Sequence, residues 1–395
     1  MGQASEWAEV EQLGIGEPGL AALAVRGSFC RDGVSIEYSI FDTPGAKRHV
    51  LLLTGWDESF LKYAEVIRRL VDAGCAVYAM DHRGQGLSGR ETEDPQVTYS
   101  ASFDDYAADA EHDLDIAAQL SRTVTYVASF DDYAADVEHF LDITAQLRRP
   151  VSVVAHSMGG LVACALAARD AARFDRLFVC APMFHMRAGM PLWVAALLAK
   201  VGCWLGMGKS YAPGQGPISH LAPLTNKLTT NREKLEGMHI SRARFPQLAK
   251  GGMSFAWVGA AVQAQTWFRA NMHRVRNPTV LVHAEDDAFV FNSAFAAFFT
   301  AAPHCRKVMY AGTYHEVLME RDAPRKHALD AMVHHITADA PLPPESVTVE
   351  LATLPPRKGA SAAAGLTLVA VAAAAAAGWV VSQSGRGYFN RLWAL

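Results

Sequence analysis

Short apolar runs alternate with helical patterns along the first 337 residues of this 395-residue chain. Residues 24–42 alternate between apolar and polar positions around Arg31-Asp32-Gly33, which predicts a β-hairpin. Continuous apolar runs are typical of strands that are buried on both faces, and they follow at 49–53, 75–80, 151–155, 174–180, 279–283 and 307–310. Helical spacing lies between them at 60–73 and 161–169 and after them at 323–336. This order predicts an α/β fold, a mostly parallel central sheet with helices on both faces.

Residues 185–270 depart from this alternation. They are rich in Met, Trp, Gly and Pro, and they contain apolar helical segments such as 191–205. Functional sites of open α/β sheets lie at the carboxyl ends of the strands. We therefore expect this insertion to form a helical cap over that edge, within a domain that spans 1–337.

A tandem repeat lies inside the predicted domain. Residues 97–120 and 124–147 are identical at 20 of 24 positions, with an offset of 27. The second copy carries an apolar stripe at helical spacing, whereas Ala110 and Asp113 interrupt this stripe in the first copy. We expect the second copy to form the core helix and the first copy to form an added, more exposed helix.

The composition changes after the predicted domain. Residues 338–359 are rich in Pro and Thr and are interpreted as a linker. Residues 360–381 are uncharged and long enough to span a bilayer of about 30 Å, and a short tail, 382–395, follows. The segment is mostly alanine, which inserts into membranes less readily than leucine. Two alternatives follow, a C-terminal membrane anchor and an alanine-rich helix in solution or on a surface.

Charge and cysteine usage restrict the functions that the chain could have. The formal net charge is −4, which gives no basis for nucleic-acid binding. The six cysteines include no C-x-x-C pair and predict free thiols. Residues 1–12 lack the apolar core of a secretory signal. We therefore expect a cytosol-facing protein that is not secreted.

The strongest chemical signal is Ala155-His156-Ser157-Met158-Gly159, between a predicted strand and a predicted helix. Small residues two positions before and after the serine allow a strained turn that exposes its hydroxyl, as in the pattern G-x-S-x-G. The first small residue here is alanine. We predict that Ser157 is a nucleophile and interpret His156 as structural.

A serine nucleophile needs a base and an acid that orients this base, and in this strand order both follow the serine along the chain. The loop after the strand 279–283 supplies Asp287, with Glu285 and Asp286 as competing acids. The loop after the last predicted strand supplies His315 as the base, and His283 is a weaker alternative.

The loop after the first central strand is expected to complete an oxyanion hole. Gly55 allows a close approach of the backbone, and the N–H groups of Trp56 and Met158 are the predicted donors. The Trp56 side chain could also pack in the core or line an acyl pocket. The glycine-rich run 81–89 lacks the lysine of a phosphate-binding loop, and no metal-ligand pattern occurs in the sequence, so we predict no cofactor and no metal.

Taken together, these motifs resemble an α/β-hydrolase of the serine aminopeptidase S33 or monoacylglycerol lipase type, closest to the lysophospholipase L2-like branch. The similarity covers about residues 20–337 and implies a Ser157, Asp287 and His315 triad under a helical cap that guards a lipid-binding pocket. Departures are Thr54, where many relatives have histidine, Ala155, the repeat and the C-terminal segment. The matching motifs are Thr54-Gly55-Trp56-Asp57-Glu58-Ser59, Asp81-His82-Arg83-Gly84-Gln85-Gly86-Leu87-Ser88, Phe130-Asp131-Asp132-Tyr133, Ser157, Ala181-Pro182-Met183, Asn226-Lys227-Leu228-Thr229, Gly251-Gly252-Met253, Trp257, Asp287 and His315.

Three functions are compatible with these residues. The resemblance and the Met- and Trp-rich cap favour a serine hydrolase of lipid esters, with monoacylglycerol or lysophospholipid as the amphiphilic substrate. The same triad could serve a short-chain carboxylesterase or an acyltransferase. A non-catalytic ligand-binding protein on this fold is the third alternative, although such proteins usually lose a triad residue and this chain retains all three.

Overall fold

The computed structural model describes residues 6–31, 34–99, 102, 108–109, 151–218 and 227–350. In these ranges nine strands form one sheet in the order β1-β2-β4-β3-β5-β6-β7-β8-β9. The strands are β1 (Ala24–Arg31), β2 (Val34–Phe41), β3 (Arg48–Leu53), β4 (Cys75–Met80), β5 (Val151–His156), β6 (Leu177–Cys180), β7 (Thr279–Ala284), β8 (Cys305–Tyr310) and β9 (Ser346–Val349).

The sheet is mostly parallel, as predicted. The hairpin of β1 and β2 is antiparallel and adds to β4 in an antiparallel manner, while every other neighbouring pair is parallel. Parallel strands require crossovers that cover both faces of the sheet. Strands β3, β4 and β5 are largely buried because the crossovers cover both faces of the sheet, so that apolar side chains on either face are removed from water.

Helices lie on both faces and separate the core into two apolar layers. Alternate residues of β3 enter different layers, with Leu51 and Leu53 on one side and Val50 and Leu52 on the other. The first layer includes α3, α6 and α7, and the second includes α1, α2 and α8. The helices are α1 (Glu6–Gln12), α2 (Ala64–Asp72), α3 (Ser157–Arg169), α4 (Leu192–Trp204), α5 (Arg232–Arg244), α6 (Phe255–Asn271), α7 (Asn292–Ala301) and α8 (Asp322–Thr337).

The insertion between β6 and β7 contains α4, α5 and α6, as expected for a helical cap. The side chain of Ser254 begins α6 by accepting a hydrogen bond from the Trp257 N–H, at 3.1 Å. Helices α4 and α6 pack together, and Gly202 of α4 allows the ring of Phe255 to approach its backbone.

The interpretation of residues 338–359 as a linker was wrong for one part. Ser346–Val349 forms β9, which pairs with β8 in parallel and closes the sheet at this edge. The strand is short, and its positions alternate between exposed and half-buried. A four-residue edge strand of this kind carries little apolar signal, which explains why the composition suggested a linker.

Four described residues of the first repeat copy are buried, and most of the helix predicted from this copy lies outside the described residues. Val97, Thr98, Ala108 and Asp109 are all less than 6% exposed. The Asp109 carboxylate accepts two hydrogen bonds from the Arg83 guanidinium, at 2.6 and 2.7 Å. This ion pair holds the described part of the first copy, and the expectation of a more exposed helix stays a prediction. The predicted core helix of the second copy lies outside the described residues.

The predicted membrane segment 360–381 and the tail 382–395 also lie outside the described residues. Within the described ranges, every helix is too short or too polar to cross a bilayer.

Candidate active site

Ser157 lies where β5 ends and α3 begins, and its φ of 46° is in the left-handed region. For a residue with a side chain, this conformation costs roughly 1–3 kcal/mol and is concentrated at functional sites. A Cβ at Gly159 would lie 2.6 Å from the carbonyl oxygens of Leu53 and Thr54, so only glycine fits two residues further on. This crowding explains the small residues that surround the serine in the sequence.

The three side chains predicted for the triad meet at the carboxyl edge of the sheet. His315 Nε2 lies 3.1 Å from Ser157 Oγ, and its Nδ1 donates to Asp287 Oδ2 at 2.7 Å. The other carboxylate oxygen of Asp287 accepts the N–H groups of Phe289 and Val290, at 2.8 and 2.9 Å. All three side chains of the triad are buried. The arrangement can accept a proton from the serine hydroxyl and orient the imidazole that receives it.

The electrostatics of the triad support this division of roles. Burial opposes the charged forms of both His315 and Asp287. The attraction of the Asp287 carboxylate outweighs the effect of burial on His315 and raises the pKa of its imidazole. In the same way, His315 and the two backbone N–H groups outweigh burial and lower the pKa of Asp287. A base of raised pKa beside an ionised carboxylate matches the requirement of general base catalysis near neutral pH.

The alternative residues take structural positions. The Glu285 carboxylate accepts the Gly312 N–H at 3.0 Å, so it supports the loop that precedes His315. Asp286 donates its N–H to the carbonyl oxygen of Thr313 at 3.1 Å. His283 packs on Phe295 with ring centroids 4.8 Å apart. Asp287, one of the three competing acids, is hydrogen-bonded to the His315 ring.

The predicted oxyanion donors lie on the loop after β3 and at the start of α3. Met158 lies in the first turn of α3, where N–H groups have no partner within the helix. Trp56 follows the end of β3 and lines the same cavity as Ser157. Its indole N–H donates to Thr98 Oγ1 at 3.2 Å, and its ring packs against Trp257. The Trp56 side chain thus both packs in the core and lines the cavity.

A buried acid that the sequence reasoning missed supports this loop. The Glu58 carboxylate accepts hydrogen bonds from the Gly55 N–H at 2.5 Å, from Lys62 Nζ at 2.6 Å and from the Tyr63 hydroxyl at 2.6 Å. It also contacts His156 Nδ1 at 3.0 Å. Burial opposes ionisation, but Lys62 and His156 hold the pKa of Glu58 well below its usual range. The four-residue spacing of Glu58 and Lys62 was the available signal.

The same network extends to His315. Lys62 bridges Glu58 and Glu316 through a second ion pair of 2.8 Å, and Glu316 directly follows His315 in the chain. The His156 and His315 rings pack with centroids 4.9 Å apart. His156 therefore connects His315 to the loop 54–59, which carries the predicted donor Trp56 and is called the oxyanion loop below.

A second missed contact attaches the oxyanion loop to the cap. Asp57 has a φ of 61°, and its carboxylate pairs with Arg242 of α5 and accepts the Lys250 N–H at 3.1 Å. Burial raises the pKa of Asp57 to about 6 although Arg242 lies beside it. The loop that carries Trp56 is thus held between the sheet and the cap.

Comparison with known proteins identifies the family. The sequence profile described as "Serine aminopeptidase, S33" matches residues 44–322, which is more than half of the chain. The chain belongs to the serine aminopeptidase S33 family. The match includes Ser157 and Asp287, together with His315 and the whole of the cap.

Curated relatives of this S33 chain include two named lipid hydrolases. Lysophospholipase L2 of Escherichia coli (strain K12) is 30% identical over 310 residues, which cover 76% of this chain and 84% of that protein. Monoacylglycerol lipase of Mycolicibacterium smegmatis is 26% identical over 313 residues, covering 78% and 94%. Among solved structures, a soluble variant of monoglyceride lipase from Saccharomyces cerevisiae covers 80% of this chain and 95% of that one, with a TM-score of 0.59 and 17% identity. At this identity the likeness shows the fold alone.

Thr54 contributes its backbone to the site. Its carbonyl oxygen accepts the Gly159 N–H at 3.1 Å, which ties β3 to the serine turn. The close contact needs no particular side chain at position 54.

A large cavity opens beside Ser157, between the sheet and the cap. Its volume is about 960 Å³, and Trp56, Ser157 and His315 contribute to its wall. This volume is at the upper end of the range for small-molecule sites. The wall is more apolar than polar, and its apolar part includes Met183, Met186, Met190, Leu198, Met253, Val258 and Phe289.

Proposed function

We propose that this protein is a serine hydrolase that cleaves the carboxylic ester of monoacylglycerol or lysophospholipid. The observation that carries the proposal is the hydrogen-bonded chain from Ser157 through His315 to Asp287, at the base of a large apolar cavity. Membership in the S33 family and the relatives named lysophospholipase L2 and monoacylglycerol lipase support the choice of ester hydrolysis.

The positions of the atoms support the following reaction. Ser157 Oγ attacks the acyl carbon while His315 Nε2 takes the hydroxyl proton, and Asp287 stabilises the imidazolium that results. The C–O bond to the alcohol breaks as His315 returns the proton to the departing oxygen. Water then attacks the acyl-enzyme with the same base and releases the fatty acid. The N–H groups of Trp56 and Met158 are the proposed donors to the oxyanion.

The cavity supports a substrate with one long acyl chain. A glycerol or phosphoglycerol headgroup needs polar contacts, whereas an acyl chain gains about 0.8 kcal/mol for each CH₂ that leaves water. The methionine-rich wall suits chains of differing length, because methionine is unbranched and adapts to irregular surfaces.

The test is the release of fatty acid from monoacylglycerol, lysophosphatidylcholine and a short p-nitrophenyl ester, with Ser157→Ala as the inactive control. We expect release from at least one long-chain lipid, and we expect this release to disappear in the variant. Turnover of the short ester alone would favour a general carboxylesterase. Transfer of the acyl group to an alcohol that is added to the assay would favour an acyltransferase. Absence of any Ser157-dependent turnover would favour a ligand-binding protein.

The location of the protein is a separate proposal. Segment 360–381 is proposed as a membrane anchor on the grounds of length and composition in the sequence. Cell fractionation of the full chain and of a chain that ends after residue 359 tests it. Equal distribution of both proteins between the membrane and soluble fractions would contradict the proposal.

A further inference from the structure

A cluster of basic side chains lies at the edge of the cavity, where the chain leaves β6 for the cap. Arg187 is exposed and contributes to the wall that also holds Ser157. Its guanidinium lies 4.2 Å from the ring centroid of Phe291, and the His185 ring packs on the same phenyl ring with centroids 4.8 Å apart. Arg269 of α6 extends the cluster, because its Nη1 lies 3.3 Å from His185 Nδ1. Two arginines and a histidine are thus grouped beside the space in which the substrate is expected to bind.

The backbone of Arg187 is attached to the loop that carries Asp287. The Arg187 N–H donates to the carbonyl oxygen of Phe289 at 2.7 Å. The Phe289 N–H donates to Asp287 Oδ1 at 2.8 Å, and its ring packs on the His315 ring with centroids 5.1 Å apart. Arg187 is therefore joined to the side of the cavity on which His315 lies.

The guanidinium of Arg187 is held in place but is only partly hydrogen-bonded. Its Nε donates to the carbonyl oxygen of Val290 at 3.2 Å, and its face lies over the Phe291 ring. Among the residues that the structure describes, its two terminal nitrogens have no acceptor and no carboxylate lies within ion-pair distance. Arginine stays charged, and its planar fork of N–H groups matches two oxygens of a phosphate. A guanidinium that is anchored in this way is preorganised to bind a phosphate group.

Two acids of the loop that Arg187 contacts are engaged elsewhere, and the segment that carries Arg187 has none. Residues 176–232 contain no Asp and no Glu. On the facing loop, Asp287 is hydrogen-bonded to His315. The Glu285 carboxylate accepts the Gly312 N–H at 3.0 Å. The positive charge of the cluster is therefore available to an anion that enters the cavity.

We propose that Arg187, with His185 and Arg269 beside it, forms a subsite for the phosphate of a lysophospholipid headgroup. In the proposed reaction His315 returns its proton to the departing alcohol oxygen, so the alcohol part of the substrate lies on the side to which Arg187 is attached. This part carries the phosphate in a lysophospholipid, whereas it ends in hydroxyl groups in a monoacylglycerol. The inference rests on the proposed function and selects the phosphate-bearing ester from its two substrate classes.

The kinetic test compares two esters with the same acyl chain, octanoylglycerol and octanoyl lysophosphatidylglycerol, below the concentrations at which they form micelles. The measured quantity is kcat/KM for the phosphate-bearing ester divided by kcat/KM for octanoylglycerol. We expect Arg187→Gln to lower this ratio about tenfold or more, because hydrogen bonds to a charged group are lost with the phosphate-bearing ester alone. Arg187→Lys keeps the charge without the planar fork, so its ratio should lie between those of the parent and Arg187→Gln.

Arg169→Gln is the matched control. Arg169 is also exposed and lies over an aromatic ring, that of Trp267, at 5.1 Å, but it is at the end of α3 that is opposite to Ser157. We expect this variant to keep the ratio of the parent. An unchanged ratio in Arg187→Gln, or an equal fall in Arg169→Gln, would overturn the inference while hydrolysis of octanoylglycerol still supports the proposed function. If neither ester shows Ser157-dependent hydrolysis, the proposed function fails and binding alone decides on the subsite.

Binding is measured in full-length Ser157→Ala by nuclear magnetic resonance of the His185 imidazole, which is assigned with a His185→Gln variant. Burial, Arg269 and Arg187 together lower the pKa of His185. A bound anion offsets the two cations, so glycerophosphate should raise this pKa and glycerol should not. Absence of a rise with glycerophosphate would overturn the inference. An equal rise with inorganic phosphate, together with an unchanged kinetic ratio in Arg187→Gln, would assign the cluster to a free anion and would also overturn it.

Discussion

Replacement of Glu58 by glutamine tests whether the buried network beneath the oxyanion loop contributes to turnover. The amide has the shape of the carboxylate and retains an oxygen that can accept the Gly55 N–H. It loses the negative charge that lies 2.6 Å from Lys62 Nζ and 3.0 Å from His156 Nδ1. The side chain is only 7% exposed, so water cannot replace the lost interactions.

The magnitude follows from these contacts. A hydrogen bond to a charged group contributes about 1.5–3 kcal/mol, and removing one partner of a buried pair costs about 3–5 kcal/mol. Because Lys62 keeps its second ion pair with Glu316, we expect a loss of about 3 kcal/mol in the free energy of unfolding. The Gly55 N–H precedes the proposed donor Trp56, so kcat should also fall, by about tenfold, which is less than the roughly 10²–10³ for removal of a donor.

The charge of Glu58 has a further effect that a purely structural role would not produce. Burial opposes the charge on His315, while Asp287, Glu316 and Glu58 raise the pKa of its imidazole. Loss of one of these negative charges should lower this pKa. The acid limb of the profile of kcat/KM against pH should therefore move to lower pH by about 0.7 pH unit, since nearby unit charges at an effective dielectric constant near 20 interact by about 1 kcal/mol and one pH unit corresponds to about 1.4 kcal/mol.

The assay is hydrolysis of a short soluble ester between pH 5 and 9, with urea unfolding of the same proteins. Glu65→Gln is the matched control, because Glu65 also pairs with two cations, Lys234 and Arg325, but does not touch the oxyanion loop. We expect Glu65→Gln to keep the kcat and the pH profile of the parent. If Glu58→Gln keeps both as well, the role of Glu58 is structural at most and our argument is wrong.

Three other expectations follow. Gly159→Ala should lower kcat of ester hydrolysis by about 10² or more, because the added Cβ would lie 2.6 Å from two carbonyl oxygens. Gly208→Ala, whose Cβ would have no contact below 3.6 Å, should keep a kcat close to that of the parent. Equal losses of kcat in both variants would contradict this expectation. His315 must be neutral to accept a proton and its pKa is raised, so kcat/KM should rise with pH through a midpoint above 6.5, and a midpoint below 6 would disagree. Arg242→Gln should lower the free energy of unfolding in urea by about 2–3 kcal/mol, because its ion pair with Asp57 is largely buried. Arg244→Gln should lower it by less than about 0.5 kcal/mol, because Arg244 is exposed in its ion pair with Glu9. Similar losses in both variants would argue against the contact between the cap and Asp57.

The sequence predicted the parts of the site that depend on strand order. Ser157, Asp287 and His315 each follow a buried strand, and parallel strands bring their carboxyl ends to one edge of the sheet. Local spacing could therefore select these three residues without any knowledge of side-chain contacts. The cap was predicted in the same way, from a long interruption between two strands.

Contacts between distant segments could not be predicted in this way. Asp57 and Arg242 are 185 residues apart, and His156 and Glu58 are 98 residues apart. No periodicity connects such pairs, because their meeting depends on the packing of the whole sheet. The burial of Asp109 has the same origin, since its partner Arg83 lies on a separate loop and apolar patterning gives no signal for a buried ion pair.

The position of β9 determines where the chain can be shortened. A protein that ends at residue 337, the last residue of α8, would lose the hydrogen bonds that join β8 to Ser346–Val349. The uncovered N–H and C=O groups of β8 would then be available for pairing with the edge of another molecule, which is a common route to aggregation. A protein that ends after residue 350 keeps this strand. Crystallisation or activity studies of a shortened enzyme should therefore place the new C-terminus beyond the ninth strand, and poor solubility of a protein cut at 337 would be an artefact of the cut.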